Sequence, residues 1–87
     1  MSFLHDKKYL QAGTVVSVKC SHQINVLVMD DTNFNKYRRG ESCRTYGGFY
    51  TRFPANISVP STGNWNVVLA LPPGHSARIQ HSIQYIS

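Results

Sequence analysis

Apolar and polar residues alternate with a period of two along most of the chain. Residues 14–20 place Val16 and Val18 on one face, and residues 24–29 repeat the pattern after a connection of three residues, 21–23. A period of two is typical of a strand that buries one face. Because the connection is short, we predict that these two strands pair as an antiparallel hairpin.

Three more alternating stretches lie in the second half of the chain, at residues 56–59, 65–71 and 76–86. The second has two faces: Trp65, Val67, Leu69 and Leu71 on one side, and Asn66, Val68 and Ala70 on the other. The third is predicted to have one buried and one wet face, with Ala77, Ile79, His81, Ile83 and Tyr85 on the buried side. Between them, residues 72–75 fit a type II turn.

The middle of the chain does not alternate in this way. An aspartate or threonine just after the second predicted strand can cap one short helical turn through Phe34 and Tyr37. Short strands are predicted at residues 44–46 and 49–51. The glycine pair between them, residues 47–48, is predicted to be a flexible or tightly bent point.

These elements predict the fold class. No segment of ten or more residues has the apolar spacing of a helix, so parallel strands with crossover helices have no room. Short strands separated by turn residues, with another plausible near Phe3 and Leu4, predict an all-β fold. We expect an antiparallel β-sandwich or small barrel of about six to eight short strands, formed by residues 1–87 as a single domain.

Composition and charge narrow the class of protein. Hydrophobic residues make up 41% and charged residues 15%, which is too apolar for a disordered chain. No apolar run approaches the ~18 residues of a membrane span, and residues 1–8 contain an acid and two lysines where a signal peptide would be apolar. We therefore expect a soluble, cytoplasmic protein without membrane insertion. Its net charge of +5 favours anionic partners.

The densest candidate chemistry lies in residues 34–53. This region holds six of the ten aromatic residues and five of the nine lysines and arginines. Aromatic rings and arginines together are typical of surfaces that bind proteins, nucleic acids or glycans. Alternatively, the rings pack beneath a loop and the arginines only solvate it. The candidate contact residues are Lys36, Tyr37, Arg38, Arg39, Arg44, Tyr46, Gly47, Gly48, Phe49, Tyr50 and Arg52.

The remaining reactive residue types do not form a catalytic or metal-binding pattern. The four histidines and two cysteines lack metal-ligand spacing, and His81 is expected to be a hydrogen-bonded core residue. Asp30 and Asp31 are adjacent, so we expect them to cap turns rather than form a dyad. Trp65 is expected to anchor the core. We therefore expect no metal, no cofactor and no enzymatic activity.

Six short motifs resemble a small bacterial family of uncharacterised β-domains. They are Phe3-Leu4-His5, Leu10-x-Ala12-Gly13-x-Val15-Val16, Asn25-Val26-x-x-Met29-Asp30, Asn33-Phe34-x-x-Tyr37, Tyr46-Gly47-Gly48 and Val59-Pro60-Ser61-x-Gly63-x-Trp65-x-Val67-Val68. The resemblance implies an all-β cytoplasmic protein whose domain occurs alone or ahead of a TIR domain. It implies no catalytic residues, and this chain has no TIR-like portion.

Three functions remain open from the sequence. The first is a non-enzymatic recognition module that presents residues 34–53 to a protein or other anionic partner. The second is binding of single-stranded nucleic acid or carbohydrate by the same surface. The third is a structural protein that self-assembles through an edge strand, for which residues 76–86 are long enough.

Overall fold

The computed structural model describes residues 3–71 and 79–86. Within these residues it contains seven strands and one helix. In chain order they are β1 (Leu4–Leu10), β2 (Val15–Cys20), β3 (Ile24–Asp30), α1 (Asp31–Arg38), β4 (Tyr46–Tyr50), β5 (Ala55–Ser58), β6 (Gly63–Ala70) and β7 (His81–Ile86).

The strands form two antiparallel sheets that face each other. One has four strands in the order β1-β6-β3-β4, and the other has three in the order β5-β2-β7. The core between them comprises Leu10, Val16, Val18, Ile24, Val26, Val28, Ala55, Ile57, Val59, Trp65, Val67 and Leu69. The predicted all-β sandwich is confirmed, with a strand count inside the expected range.

The predicted hairpin of β2 and β3 is wrong. β2 pairs with β5 and β7, whereas β3 pairs with β4 and β6, so the two strands lie in opposite sheets. Ser21, in the connection, bonds to Gln80 instead of closing a turn: its N–H donates to the Gln80 carbonyl at 2.8 Å. Alternation places an apolar face on each strand but does not say whether those faces lie side by side or meet across a core.

Strand β6 is buried on both faces, as its sequence pattern predicts. Trp65 and Leu69 enter the core between the sheets. Val68 and Ala70 point the other way and pack with Phe34 of α1 in a second cluster. The helix therefore covers the outer face of the four-stranded sheet, which would otherwise expose apolar side chains to water.

The predicted helical turn is confirmed and extends to eight residues. Asp30 is the N-cap, and its side chain accepts a hydrogen bond from the backbone N–H of Asn33. Gly40, which has a φ of 76°, follows the helix at the position where a left-handed residue ends it. No helix within residues 3–71 and 79–86 is long and apolar enough to cross a membrane.

The two short strands predicted around Gly47 and Gly48 are a single strand, β4. Its register with β3 continues through both glycines, which pair with Leu27 and Val26. The prediction that a bend at the two glycines separates two strands is therefore wrong. Gly47 nevertheless has a φ of 107°, so the strand contains one backbone conformation that only glycine adopts easily.

His81 is exposed, so its assignment to the core is wrong. It begins β7, opposite Cys20 at the end of β2, and among the described strands β7 pairs with β2 alone, at the edge of its sheet. Cys20 packs partly against the core, but His81 beside it stays exposed at the first position of the strand. Ile83 and Tyr85, further along β7, do pack partly against the core. The predicted turn at 72–75 and the start of the last strand at 76–78 lie outside the described residues.

Candidate functional site

The structure divides the candidate region 34–53 into three parts: the helix α1, a connection at residues 39–45 and the edge strand β4. Its aromatic rings are divided as well. Phe34 is buried, and Tyr37, Tyr50 and Phe53 are partly buried against one of the two clusters. Tyr46 and Phe49 are exposed. Both interpretations of the sequence therefore hold in part, since four rings pack inward and two face outward.

An open groove of about 850 Å³ lies where α1, the 39–45 connection and the start of β6 meet. Lys36 comes from the helix, Arg44 from the connection and Tyr46 from the first position of β4. These three candidate residues are the ones that the fold brings together. The remaining lining residues are Asp30, Asn33, Ser42, Cys43, Thr45, Pro60, Ser61 and Trp65.

A chain of hydrogen bonds holds this groove open. Asp30 Oδ1 accepts from both the backbone N–H and the side-chain amide of Asn33, each at 2.9 Å. Asn33 Oδ1 in turn accepts from the backbone N–H of Arg44 at 2.9 Å. The helix cap therefore fixes the start of the segment that leads into β4. Without it, the position of Arg44 relative to Lys36 would be set only by a loop.

Replacing Asp30 with alanine should lower the free energy of unfolding by about 1 kcal/mol, because the helix loses its N-cap and Asn33 loses an acceptor. Urea unfolding followed by circular dichroism measures the change. Thr32→Ala is the matched control, since Thr32 is exposed in the first turn of the same helix. Equal effects of the two substitutions would contradict this role of Asp30.

Trp65 forms the apolar wall of the groove. It is only 5% exposed, which confirms the expectation of a core anchor. Its indole N–H donates to the Ser61 carbonyl at 2.9 Å, and its ring meets Tyr46 edge-on with centroids 6.0 Å apart. A buried Trp with a satisfied N–H is rigid. Tyr46, which rests on it, is therefore a positioned ring at the mouth of the groove.

The cations of the region fall into two groups. Arg38 and Arg39 lie outside the groove: the Arg38 guanidinium is 5.7 Å from the centre of the Phe34 ring, and Arg39 pairs with Glu41. Lys36 and Arg44 line the groove, and within residues 3–71 and 79–86 neither forms a salt bridge. The groove therefore carries positive charge that is not neutralised by a described carboxylate contact.

The other candidate residues lie elsewhere. Tyr37 packs edge-on against Phe3, with ring centroids 5.4 Å apart, and burial raises the pKa of its hydroxyl, with a smaller contribution from Cys43. The four residues Gly47, Gly48, Phe49 and Tyr50 continue along β4. Arg52 follows β4 and is exposed. These residues do not line the groove.

Asp31 of α1 and Asn66 of β6 form a partly buried polar contact outside the groove lining. Asn66 is fully buried, and its amide donates to Asp31 Oδ1 at 2.8 Å and to the Met29 carbonyl at 3.3 Å. His5 Nε2 lies 2.8 Å from Asn66 Oδ1. The Asn66 bond, together with Lys7 at 3.2 Å, holds the pKa of Asp31 below its ordinary value despite the opposing desolvation.

Sequence reasoning missed most of the groove. The sequence predicts only a capping role for Asp30 and no function for Ser61. Asn33 and Ser42 carried no periodic or charge signal. Only the Asp-x-x-Asn spacing of a helix start points to Asp30 and Asn33 as a pair. Nothing in the order of residues places Ser61 in the same groove as Arg44.

The described residues contain no group of three or more His, Cys, Asp or Glu side chains placed to hold a metal ion. Cys20 and Cys43 are free thiols. On the far side of the sandwich, Tyr85 bonds to Asp6 of β1, and burial together with this bond raises the pKa of the Tyr85 hydroxyl.

Comparison with known proteins identifies the family. No curated protein and no solved structure matches this chain significantly. A family model described as a domain of unknown function matches residues 1–86. Because the match extends over nearly all of the sequence, this chain belongs to the DUF1883 family.

Proposed function

We propose that this domain is a non-enzymatic recognition module that binds an acidic segment of a protein partner in the groove. The observation that carries the proposal is the convergence of Lys36, Arg44 and Tyr46, which come from three different elements, on one open surface. Two cations supply charge-assisted hydrogen bonds to carboxylates. A positioned tyrosine supplies contact area and a polar tip at little cost in conformational entropy.

The immediate surroundings of the two cations favour an anion over a neutral ligand. The one carboxylate that lines the groove, Asp30, already accepts two hydrogen bonds from Asn33. The remaining polar lining consists mainly of hydroxyl and amide groups. Such groups complete the hydrogen bonding of a bound carboxylate without opposing its charge.

Single-stranded nucleic acid and glycans are the alternatives that the same groove allows. Both commonly use an exposed aromatic face for stacking. Trp65 is 5% exposed and Tyr46 is 37% exposed, so Tyr46 is the one aromatic ring in the groove lining that a ligand can contact, and its exposed area is small. This favours side-chain carboxylates over stacked bases or sugars. In the same proposal, the domain acts in the bacterial cytoplasm, alone or ahead of a TIR domain, as the motif resemblance implies.

The test is fluorescence anisotropy at low ionic strength with a labelled decamer of glutamate, a twelve-residue oligothymidylate and a heparin-derived oligosaccharide. We expect the glutamate peptide to bind. The double substitution Lys36→Ala/Arg44→Ala should weaken this binding at least about tenfold, as the loss of charged hydrogen bonds implies.

The matched control is Arg38→Ala/Arg39→Ala, which removes the same charge outside the groove. We expect a change of about twofold or less, as is usual for charges at the rim of a site. Equal losses in the two double variants would mean that net charge alone attracts the peptide, and the groove would then have no role. Preferential binding of oligothymidylate or heparin would replace the acidic peptide as the ligand.

A further inference from the structure

The outer edge of β4 has no strand beside it among the described residues. β4 pairs with β3 on one side, and β5, which follows it in the chain, belongs to the other sheet. At Gly47 and Gly48 the strand carries no side chain, and a Cβ added at Gly48 would meet nothing within 4 Å. The backbone N–H and C=O groups of this edge are therefore accessible to a second extended chain.

Charge is distributed symmetrically around this edge. Arg44 and Arg52 each lie two residues beyond an end of β4, and both are exposed. Phe49, between them, is 52% exposed. From residue 42 to the end of the sequence there is no Asp or Glu. An added strand would therefore meet cations at both ends, an exposed ring between them, and no carboxylate of this segment.

The same charges disfavour a second copy of this chain at the edge. Antiparallel pairing of two β4 strands centred on Gly48 would set Arg44 of each copy opposite Arg52 of the other. Like charges directly opposite each other destabilise a strand pair. Cations beside an exposed edge are a known means of preventing self-association. A strand with acidic residues at both ends carries the opposite charge, so Arg44 and Arg52 attract it.

We propose that the free edge of β4 binds an extended acidic segment by strand addition, with carboxylates at its two ends facing Arg44 and Arg52. This proposal deepens the proposed function and rests on it, because Arg44 also lines the groove. Backbone hydrogen bonds supply affinity, and the flanking charges fix the register. At about 3.3 Å per residue, nine residues span the distance from Arg44 to Arg52.

Three labelled nine-residue peptides test the proposal, with binding measured by anisotropy. The first alternates threonine and valine between two terminal glutamates. The second has glutamine at both ends. The third keeps the glutamates but has proline at the seven central positions, which preserves charge and approximate length and removes every central N–H. We expect the first peptide to bind at least about tenfold more tightly than either of the others.

Two single substitutions separate strand addition from binding in the groove. Arg52 lies outside the groove and Lys36 lines it. We expect Arg52→Ala to weaken binding of the first peptide by about fivefold or more. In the unsubstituted protein, we expect binding of this peptide to slow the hydrogen exchange of the β4 amides. Arg39→Ala, which removes an exposed cation away from the edge, is the matched control.

The outcomes distinguish the two proposals. Strand addition would be overturned, and the groove proposal kept, if the proline peptide bound as tightly as the first peptide and its binding were weakened by Lys36→Ala but not by Arg52→Ala. Sensitivity to Arg52→Ala with none to Lys36→Ala would retain the edge and overturn the groove. If neither of these acidic peptides nor the glutamate decamer binds, both proposals fail. Protection of β4 amides by dimerisation of the free protein would overturn strand addition in favour of a second copy.

Discussion

Replacing Gly47 with alanine is expected to lower the free energy of unfolding by about 3 to 5 kcal/mol. Gly47 has a φ of 107°, which a residue with a Cβ adopts only under strain. The new methyl group would also collide with the Val26 carbonyl oxygen and lie 2.9 Å from Ile57 Cδ1. A backbone carbonyl within a sheet cannot move aside without breaking strand pairing, so the two costs add.

The next residue provides the control. Gly48 does not have a positive φ, and its added Cβ would meet nothing within 4 Å. Gly48→Ala should therefore change stability by less than about 1 kcal/mol. Urea unfolding of both variants, followed by tryptophan fluorescence, gives the comparison. Equal destabilisation would show that any side chain in this part of β4 is harmful and that the conformation of Gly47 is not the cause.

A loss of this size is large for a domain of 87 residues, whose total stability is expected to be about 4 to 13 kcal/mol. Because Gly47 directly follows Tyr46 in β4, Gly47→Ala should also displace the ring that lines the groove. Binding measurements on this variant would therefore mix unfolding with loss of contacts. Gly48→Ala is the suitable variant for placing a side chain on β4 in binding experiments.

Replacing Asn66 with alanine is expected to lower the free energy of unfolding by about 3 kcal/mol. Asn66 is fully buried, and its amide bonds to the Met29 carbonyl, to Asp31 and to His5. Its removal takes a donor from the carbonyl of the buried Met29, takes partners from the more exposed Asp31 and His5, and leaves a small cavity at a fully buried position of β6. Thermal and urea unfolding at neutral pH measure the loss.

This substitution has a second readout in the titration of Asp31. The Asn66 hydrogen bond is the largest influence that lowers the pKa of Asp31, so Asn66→Ala should raise that pKa. A lowered pKa in the folded state stabilises the protein above the ordinary carboxyl pKa of 3.8, and this stabilisation is lost as the pH falls through the folded value. The difference in the free energy of unfolding between the unsubstituted protein and Asn66→Ala should therefore become smaller at acidic pH.

The matched control is Asn64→Ala. Asn64 lies on the same strand with the same side chain but is exposed. Its replacement should change stability by less than about 0.5 kcal/mol and leave the titration of Asp31, followed by NMR, unaltered. The coupling to Asp31 would be contradicted if the difference in the free energy of unfolding between Asn66→Ala and the unsubstituted protein stayed constant down to acidic pH. This holds even if loss of packing makes the variant unstable.

The structure confirms most of what local sequence can predict about strands. Alternation locates β2, β3, β5 and β6 because side chains on a strand point to opposite faces with a period of two, whatever the strand pairs with. An aspartate or threonine after β3 predicts the helix start because capping involves residues three positions apart, and Asp30 is the residue that caps it. These signals act over a few residues, so they need no knowledge of the rest of the fold.

The candidate site was only partly predictable for the opposite reason. Composition alone selected residues 34–53, and the structure places Lys36, Arg44 and Tyr46 from that region together. Tyr37 and Tyr50 have the same residue type as Tyr46 but pack partly inward. The difference lies in which cluster each ring meets, and those clusters are built by strands distant in the chain.

Local sequence is therefore sufficient to predict the strand-rich character of this protein, the faces of its strands, a helical turn after β3 and the positive charge. The assignment of β2 and β3 to opposite sheets, the groove that Ser61 and Trp65 form with Arg44, and the absence of a described strand beside the outer edge of β4 emerge from the three-dimensional fold. The physical reason is that local conformation depends on neighbouring residues, whereas sheet assignment depends on which apolar faces can be buried against each other at once.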